Sequence, residues 1–126
     1  MDPRPYQPTD LSACKAILPT LEVPTHFHVF EHNGEILAFG GYEIMDFTYA
    51  SISVYFVHPD WRRQGLGRYL ILYLLKQIST HENMAEAHAF ATSEFEGFFE
   101  RQGFKRTSWS MKKGWAVYTK KLTVCA

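Results

Sequence analysis

Val57-His58-Pro59-Asp60-Trp61-Arg62-Arg63-Gln64-Gly65-Leu66-Gly67-Arg68 is the stretch that decides how the rest of this chain is read. Pro59 ends a run of alternating character, and an amphipathic run starts just past Gly65. The segment therefore reads as a strand end, a tight loop and a helix start. A helix start carries unpaired backbone N–H groups and a partial positive charge, which together favour an anion such as a phosphate. Gly65 and Gly67 remove side chains where an anion would approach the backbone. Arg62, Arg63 and Arg68 surround the same loop with cations. Two other phosphate loops fit poorly. No Gly-Lys-Ser/Thr follows, as a P-loop requires, and Leu70 occupies the place of the third small residue in a dinucleotide fingerprint.

The flanking sequence supplies the elements that this loop needs. Ala50 to Val57 predicts a strand, with Ile52, Val54 and Phe56 on one face and Ser51, Ser53 and Tyr55 on the other. Upstream, His26 to Glu31 and Glu35 to Met45 predict two strands joined by the hairpin signal Asn33-Gly34. Gly40-Gly41 inside the second strand suggests a bulge or a close backbone approach. Asp46 to Tyr49 predicts the next turn, so the middle of the chain is an antiparallel meander. Near the start, Arg4 to Gln7 predicts a proline-flanked edge strand, and Thr9 or Asp10 caps a helix that Pro19 stops. Downstream, Gly65 to Thr80 predicts a long helix with Leu70, Ile71, Leu74, Leu75 and Ile78 on its apolar face. Ala85 to Ala91 predicts a strand. Thr92 or Ser93 caps a short helix through Gln102, with Gly103 in the left-handed position after it. Phe104 to Trp109 and Trp115 to Leu122 predict two final strands. The predicted fold class is α+β: a mostly antiparallel, twisted sheet of six to seven strands flanked by three to four helices.

The 126 residues suit one domain spanning 1–126, with no repeat, low-complexity tract or linker. Hydrophobic residues at 46% and aromatics at 16% supply a large core and argue against disorder. Thirteen basic residues balance thirteen acidic ones, so the chain lacks the basic excess of a nucleic-acid binder, and the arginine loop is a local focus in a neutral protein. Met1 to Pro5 holds no apolar run of the signal-peptide kind. The longest apolar run, Tyr69 to Leu75, is too short to span a bilayer. The expectation is a cytoplasmic protein without a membrane partner, whose Cys14 and Cys125 are free thiols.

The loop also carries a family resemblance. Arg62-Arg63-Gln64-Gly65-Leu66-Gly67 resembles the Arg/Gln-x-x-Gly-x-Gly/Ala acyl-CoA signature of the GNAT N-acetyltransferase superfamily. Phe98-Phe99-Glu100-Arg101-Gln102-Gly103-Phe104 is similar to that family's Phe-Tyr-Glu-x-x-Gly-Phe, with one helix and one strand between the two motifs. The resemblance covers about Asp10 to Leu122, although the segment from Leu18 to His26 is short for the family. It implies an N-acyltransferase that moves an acyl group, most simply acetyl, from acetyl-CoA to an amine-bearing small molecule or peptide. The alternative is a non-catalytic acyl-CoA-binding sensor or regulatory module. The implied CoA site is the backbone from Gln64 to Arg68 (with Gly65, Leu66 and Gly67), the Arg62, Arg63 and Arg68 side chains, and the strand end at Phe56 and Val57. Thr92 and Phe99 border it, and a homodimer is compatible with the family.

Catalysis needs a neutral amine, a polarised thioester and a proton for the departing thiolate. The family's thiolate-protonating tyrosine corresponds to Phe99, which has no proton. Tyr55, Ser93 and Thr92 are the substitutes within the same region. The family's strand glutamate corresponds to Ser51, which leaves Glu43 on the neighbouring strand as the nearest acid. Asp46 reads as a turn former, Glu100 as a solvated helix residue and His58 as a loop residue. His88, on the strand after the long helix, is a further candidate base. His26 and His28 share a strand face without a third ligand at metal spacing, so no metal is expected.

Overall fold

The structure is a computed structural model, and it describes residues 3–46, 48–62, 64–92, 95–108 and 114–122. Among the described residues, seven strands form a single sheet in the order β1-β2-β3-β4-β5-β7-β6. These are β1 (Pro3–Pro5), β2 (His26–His32), β3 (Glu35–Ile44), β4 (Tyr49–Val57), β5 (Glu86–Thr92), β6 (Lys105–Arg106) and β7 (Trp115–Lys121). Three α-helices accompany them: α1 (Leu11–Ile17), α2 (Leu66–Ser79) and α3 (Glu96–Arg101). Every neighbouring pair is antiparallel except β4 with β5, which α2 connects as a crossover.

The β2–β3 hairpin turns at Asn33 (φ 51°) and Gly34 (φ 78°), two left-handed residues in a row, as an Asn-Gly turn requires. β1 sits at the edge, and its register against β2 is Pro3↔Phe30 to Pro5↔His28. Both oxygens of the buried Asp10 carboxylate accept from the Arg4 guanidinium at 2.9 Å, and Asp10 Oδ2 also accepts from the Gln7 N–H at 2.8 Å. Asp10 thus closes the turn before α1 through Gln7 and ties the edge strand to it.

Two cores lie on opposite faces of the sheet. The larger one gathers Leu70, Ile71, Leu74 and Ile78 of α2 against Ala38, Tyr42, Ala50, Ile52, Ala87, Ala89 and Tyr118. The smaller one packs Cys14 of α1 and Leu21 against Phe27, Val29 and Phe39, with Val54 and Phe56 at its margin. β4 supplies both cores because its alternation is interrupted. Gly41 pairs with Val54 and Tyr42 pairs with Ile52, so Ser53 is an extra residue in β4. Before this bulge Ala50 and Ile52 face α2; after it Val54 and Phe56 face α1. The predicted single face of Ile52, Val54 and Phe56 is therefore split in two, and the bulge lies in the strand opposite Gly41. Gly41 itself answers to a close approach: a Cβ there would sit 2.5 Å from His26 O and 2.7 Å from Pro24 Cγ.

β4 and β5 pair only from Tyr49↔Glu86 to Ile52↔Ala89. Beyond that point β4 continues to Val57 and β5 to Thr92 without a shared register. The sheet splits there, one residue from the bulge. The late strand predicted from Phe104 is shorter than expected. β6 covers Lys105–Arg106, and one further bond runs from Thr107 N–H to Val117 O at 2.9 Å. Trp109 lies outside the described residues.

Candidate acyl-CoA site

α2 begins at Gly65, whose φ of 82° is left-handed and suits glycine alone at low cost. The first helical bond runs from Tyr69 N–H to Gly65 O at 3.0 Å, so the N–H groups of Leu66, Gly67 and Arg68 precede the ladder. The loop before them is fixed by its own side chains. His58 Nδ1 accepts from Asp60 N–H at 3.1 Å, and the Gln64 side-chain amide donates to Asp60 O at 3.2 Å. Arg62 folds back over β4: its Nε donates to Val57 O at 3.0 Å and its guanidinium lies 5.7 Å from the Phe56 ring centre.

A cavity of about 900 Å³ runs from this helix start between α2 and α3 along the split edge of β4. The sequence-predicted residues that line it are Tyr55, Phe56, Val57, Arg62, Gly65, Gly67 and Arg68. Backbone direction sharpens their roles. His58 N–H bonds Leu37 O at 2.7 Å, so by strand alternation Phe56 also turns its backbone to β3. Tyr55 and Val57 therefore direct their N–H and C=O groups into the split. Tyr55 also presents its ring, which packs edge-on to Phe95 (5.5 Å) and Phe99 (5.2 Å). Phe99 is wholly buried behind Tyr55 and Phe98 and does not line the cavity. Thr92 ends β5 opposite Trp115, away from the cavity lining. Arg63 and Ser93 lie outside the described residues.

Two cations in the cavity wall were not singled out from the sequence, Arg101 and Lys120. Arg101 sits inside the second motif and was legible there. Lys120 reaches the cavity only because β7 inserts beside β5, and its Nζ donates to Gln102 O at the end of α3 at 2.7 Å. With Arg62 and Arg68 they give the described lining four cations and no acid. Gly103 follows α3 with φ 87°, and Phe104 N–H returns to Phe99 O at 3.0 Å, which closes the helix as predicted.

The other face of the sheet carries the candidate bases. Glu43 is opposite Ser51 in the β3–β4 register, and Ser51 is buried. Thr25 Oγ1–H and Thr25 N–H both donate to the Glu43 carboxylate at 2.6 Å, which holds its pKa below the usual carboxylate range. Asp46 accepts from Thr48 and Tyr49 and forms the turn, as expected. His88 is buried on β5, 3.0 Å from Glu86 and stacked on Tyr49 at 4.3 Å. His26 and His28 face α2 instead. His28 Nδ1 meets the Tyr73 hydroxyl at 3.0 Å, and His26 stacks on Tyr42, whose hydroxyl meets His81 Nε2 at 2.8 Å. Among the described residues no group of three or more His, Cys, Asp or Glu is placed to hold a metal. Among them too, no helix is long and apolar enough to cross a membrane.

Comparison with known proteins agrees with this geometry. The family model for the acetyltransferase (GNAT) domain matches residues 24–106, which is more than half of the chain. The human protein named cysteine-rich protein 2-binding protein is 32% identical over 98 residues. That match takes in 76% of this chain but 11% of the human protein, so this chain spans about a tenth of its relative's length. Ard1 from Thermoplasma volcanium superposes with a TM-score of 0.78 at 19% identity, over 97% of both chains. N-acetylglutamate synthase from Neisseria gonorrhoeae, solved with coenzyme A and N-acetyl-glutamate, superposes at 0.80 and 17% identity. That match covers 97% of this chain and 35% of the synthase. A bulged, split sheet, a glycine-opened helix start and a family match spanning both converge: the chain belongs to the GNAT acetyltransferase family.

Proposed function

We propose that the protein transfers an acyl group, most simply acetyl, from acetyl-CoA to a primary amine by direct attack in a ternary complex. One observation carries this reading. The amides that precede the α2 ladder and the four cations of the described lining stand along the same cavity as the edge of β4 that runs past its register with β5, so phosphate and amide recognition lie along one path. In this reading the amides from Gln64 to Arg68 and the Arg62, Arg63 and Arg68 side chains hold the pyrophosphate. The Tyr55 and Val57 backbone groups pair with the pantetheine amides as an added strand would. Arg62 vacates Val57 O as it turns to phosphate. Tyr55 or Ser93 returns a proton to the thiolate, and Glu43 attracts the incoming ammonium on the opposite face. The acceptor is an amine-bearing small molecule or peptide.

Titration calorimetry with acetyl-CoA tests the binding half. Absence of heat at about 1 mM ligand, a free energy weaker than about −4 kcal/mol, would end this reading. Thiol release tests the transfer half, with spermidine, a lysine-bearing peptide and a tripeptide with a free N-terminus as acceptors. A second reading, a non-catalytic acyl-CoA-binding module, draws on Phe99, which leaves the family's usual donor position without a hydroxyl and buried. Binding without thiol release across that panel would favour it.

A further inference from the structure

We infer that Arg101 reads the 3′-phosphate of the acyl-CoA donor and so makes the protein prefer CoA thioesters to dephospho-CoA thioesters; this rests on the acyl-CoA site proposed above. The donor carries two anionic centres, a pyrophosphate and a separate phosphate on its ribose. The described cavity lining likewise holds two groups of cations. Arg62 and Arg68 flank the start of α2, while Arg101 and Lys120 stand on the other wall, on α3 and β7. Phe98 lies between the groups. A Cβ on Gly67 would sit 3.4 Å from Phe98 Cε1, so α3 meets the α2 start at this ring. Arg101 follows Phe98 by three residues, about 4.5 Å along the helix axis. A single ribose separates the two anionic centres of the donor, a step of similar size. A donor whose pyrophosphate lies on the α2 amides therefore carries its second anion toward the α3 wall.

The direction of the Arg101 side chain supports this role. Helical side chains lean toward the start of their helix. Arg101 does so: a Cβ on Gly97, one turn earlier, would lie 3.0 Å from Arg101 Nη1 and 4.0 Å from its Cζ. The guanidinium thus rests over a bare stretch of α3 and lines the cavity. A cation in the last turn of a helix ordinarily serves the carbonyls at that end. Here Lys120 fills that place, since its Nζ donates to Gln102 O at 2.7 Å. No acid of the described lining neutralises Arg101. Its planar fork suits a phosphate, because two N–H groups reach two oxygens at once. Leu72 supplies the apolar counterpart. It lies one turn after Arg68 on α2, is exposed and lines the same cavity. A leucine on one wall and a guanidinium on the other match a purine whose ribose bears a phosphate.

The test is titration calorimetry at low salt with two ligands: acetyl-CoA, and acetyl-dephospho-CoA, which lacks only the 3′-phosphate. Wild type is expected to bind acetyl-CoA about tenfold tighter than the dephospho ligand. Arg101→Gln should bind acetyl-CoA about tenfold more weakly than wild type does, yet hold acetyl-dephospho-CoA within about twofold of it, so the preference vanishes. Arg101→Lys keeps the charge without the fork and should retain part of the preference. Lys76 is exposed on α2 outside the cavity lining, so Lys76→Gln should leave both affinities unchanged. Four results count against the assignment and leave the acyl-CoA site standing: equal affinity of wild type for both ligands, an unchanged ratio in Arg101→Gln, equal weakening of both ligands in Arg101→Gln, or the same loss in Lys76→Gln. Wild type that binds neither ligand at about 1 mM overturns the acyl-CoA reading itself, and the role of Arg101 with it.

Discussion

At the scale of the residue, Gly67 is the most direct test of the cavity. A Cβ there would lie 3.4 Å from Phe98 Cε1 and 3.8 Å from Val57 Cγ2, ordinary contact distances. One methyl fits, and a branched side chain projects into the cavity. Gly67→Ala should fold and bind acetyl-CoA nearly normally. Gly67→Val should weaken binding at least tenfold, about 1.4 kcal/mol by calorimetry. Undiminished affinity in Gly67→Val would remove the phosphate from this loop. Asp10 offers a separate test of stability. Its carboxyl is held below its ordinary value by the Arg4 guanidinium, against the opposing effect of burial. A depressed carboxyl stabilises the fold above its unfolded pKa of 3.8, and that contribution is lost as pH falls through the folded value. Asp10→Asn should cost about 2 kcal/mol in urea unfolding at pH 7 and progressively less as pH falls below 3.8. These residues differ in how far the sequence announces them. Gly65 and Gly67 are legible because their spacing has a local cause. The pairing of Arg4 with Asp10 depends on where β1 docks, and no local pattern signals it.

At the scale of the element, β4 decides where chemistry can occur. The extra residue at Ser53 reverses the strand's faces just where its pairing with β5 stops. Deletion of Ser53 would remove the bulge and leave one continuous alternation, with Ile52 against α2 and Val54 and Phe56 still against α1. The shortened protein should keep both cores but lose acetyl-CoA binding as β4 and β5 pair past Ile52, and a two-dimensional NMR spectrum of it should change at the ends of β4 and β5; unchanged binding would show that the bulge does not cause the split. Gly40-Gly41 announced a bulge at this point, and the register shift falls at Gly41, but the sequence did not place the extra residue in β4, because alternation is intact on each side of Ser53 over only a few residues. Strand reading tracks parity, and one insertion leaves parity correct locally and wrong globally. The α2 side has its own pH response. Burial lowers the pKa of His28 and of His81 from 6.5, so both favour the neutral ring in the fold. The unfolded chain then binds more protons below about pH 6.5, and stability should fall as pH drops through that region. Urea midpoints at pH 7.5, 6 and 5 will check this; Tyr73→Phe at the His28 bond should also lower the midpoint at pH 7.5.

At the scale of the whole molecule, the fold class, the hairpin, the long helix and both loop motifs were legible, because each has a local signature in turn residues or periodicity. The strand order was not. Lys120 joins the cavity because β7 comes between β5 and β6, a non-local choice that no window of sequence contains. Ligand linkage gives a global test. Acetyl-CoA at 100 times its dissociation constant should add about 2.7 kcal/mol and raise the melting temperature by several degrees. The sheet's outer strands bear on self-association. β1 ends in prolines at Pro3 and Pro5, which donate no backbone bond, and β6 is two residues long. A homodimer, if formed, would therefore draw its contact from side chains rather than from a continued sheet, and sedimentation will show whether one exists.

The cavity wall beside the opening between β4 and β5 carries Arg62, Arg68, Arg101 and Lys120, while the other face carries Glu43 and Glu86, with Lys121 opposite Glu86 in register. In a chain of zero formal charge the cavity wall is thus a local cationic focus. In the proposed reaction it draws the anionic donor, and the acceptor enters from the other face. Added salt should therefore weaken capture of the donor, and neither should compete with the other for entry.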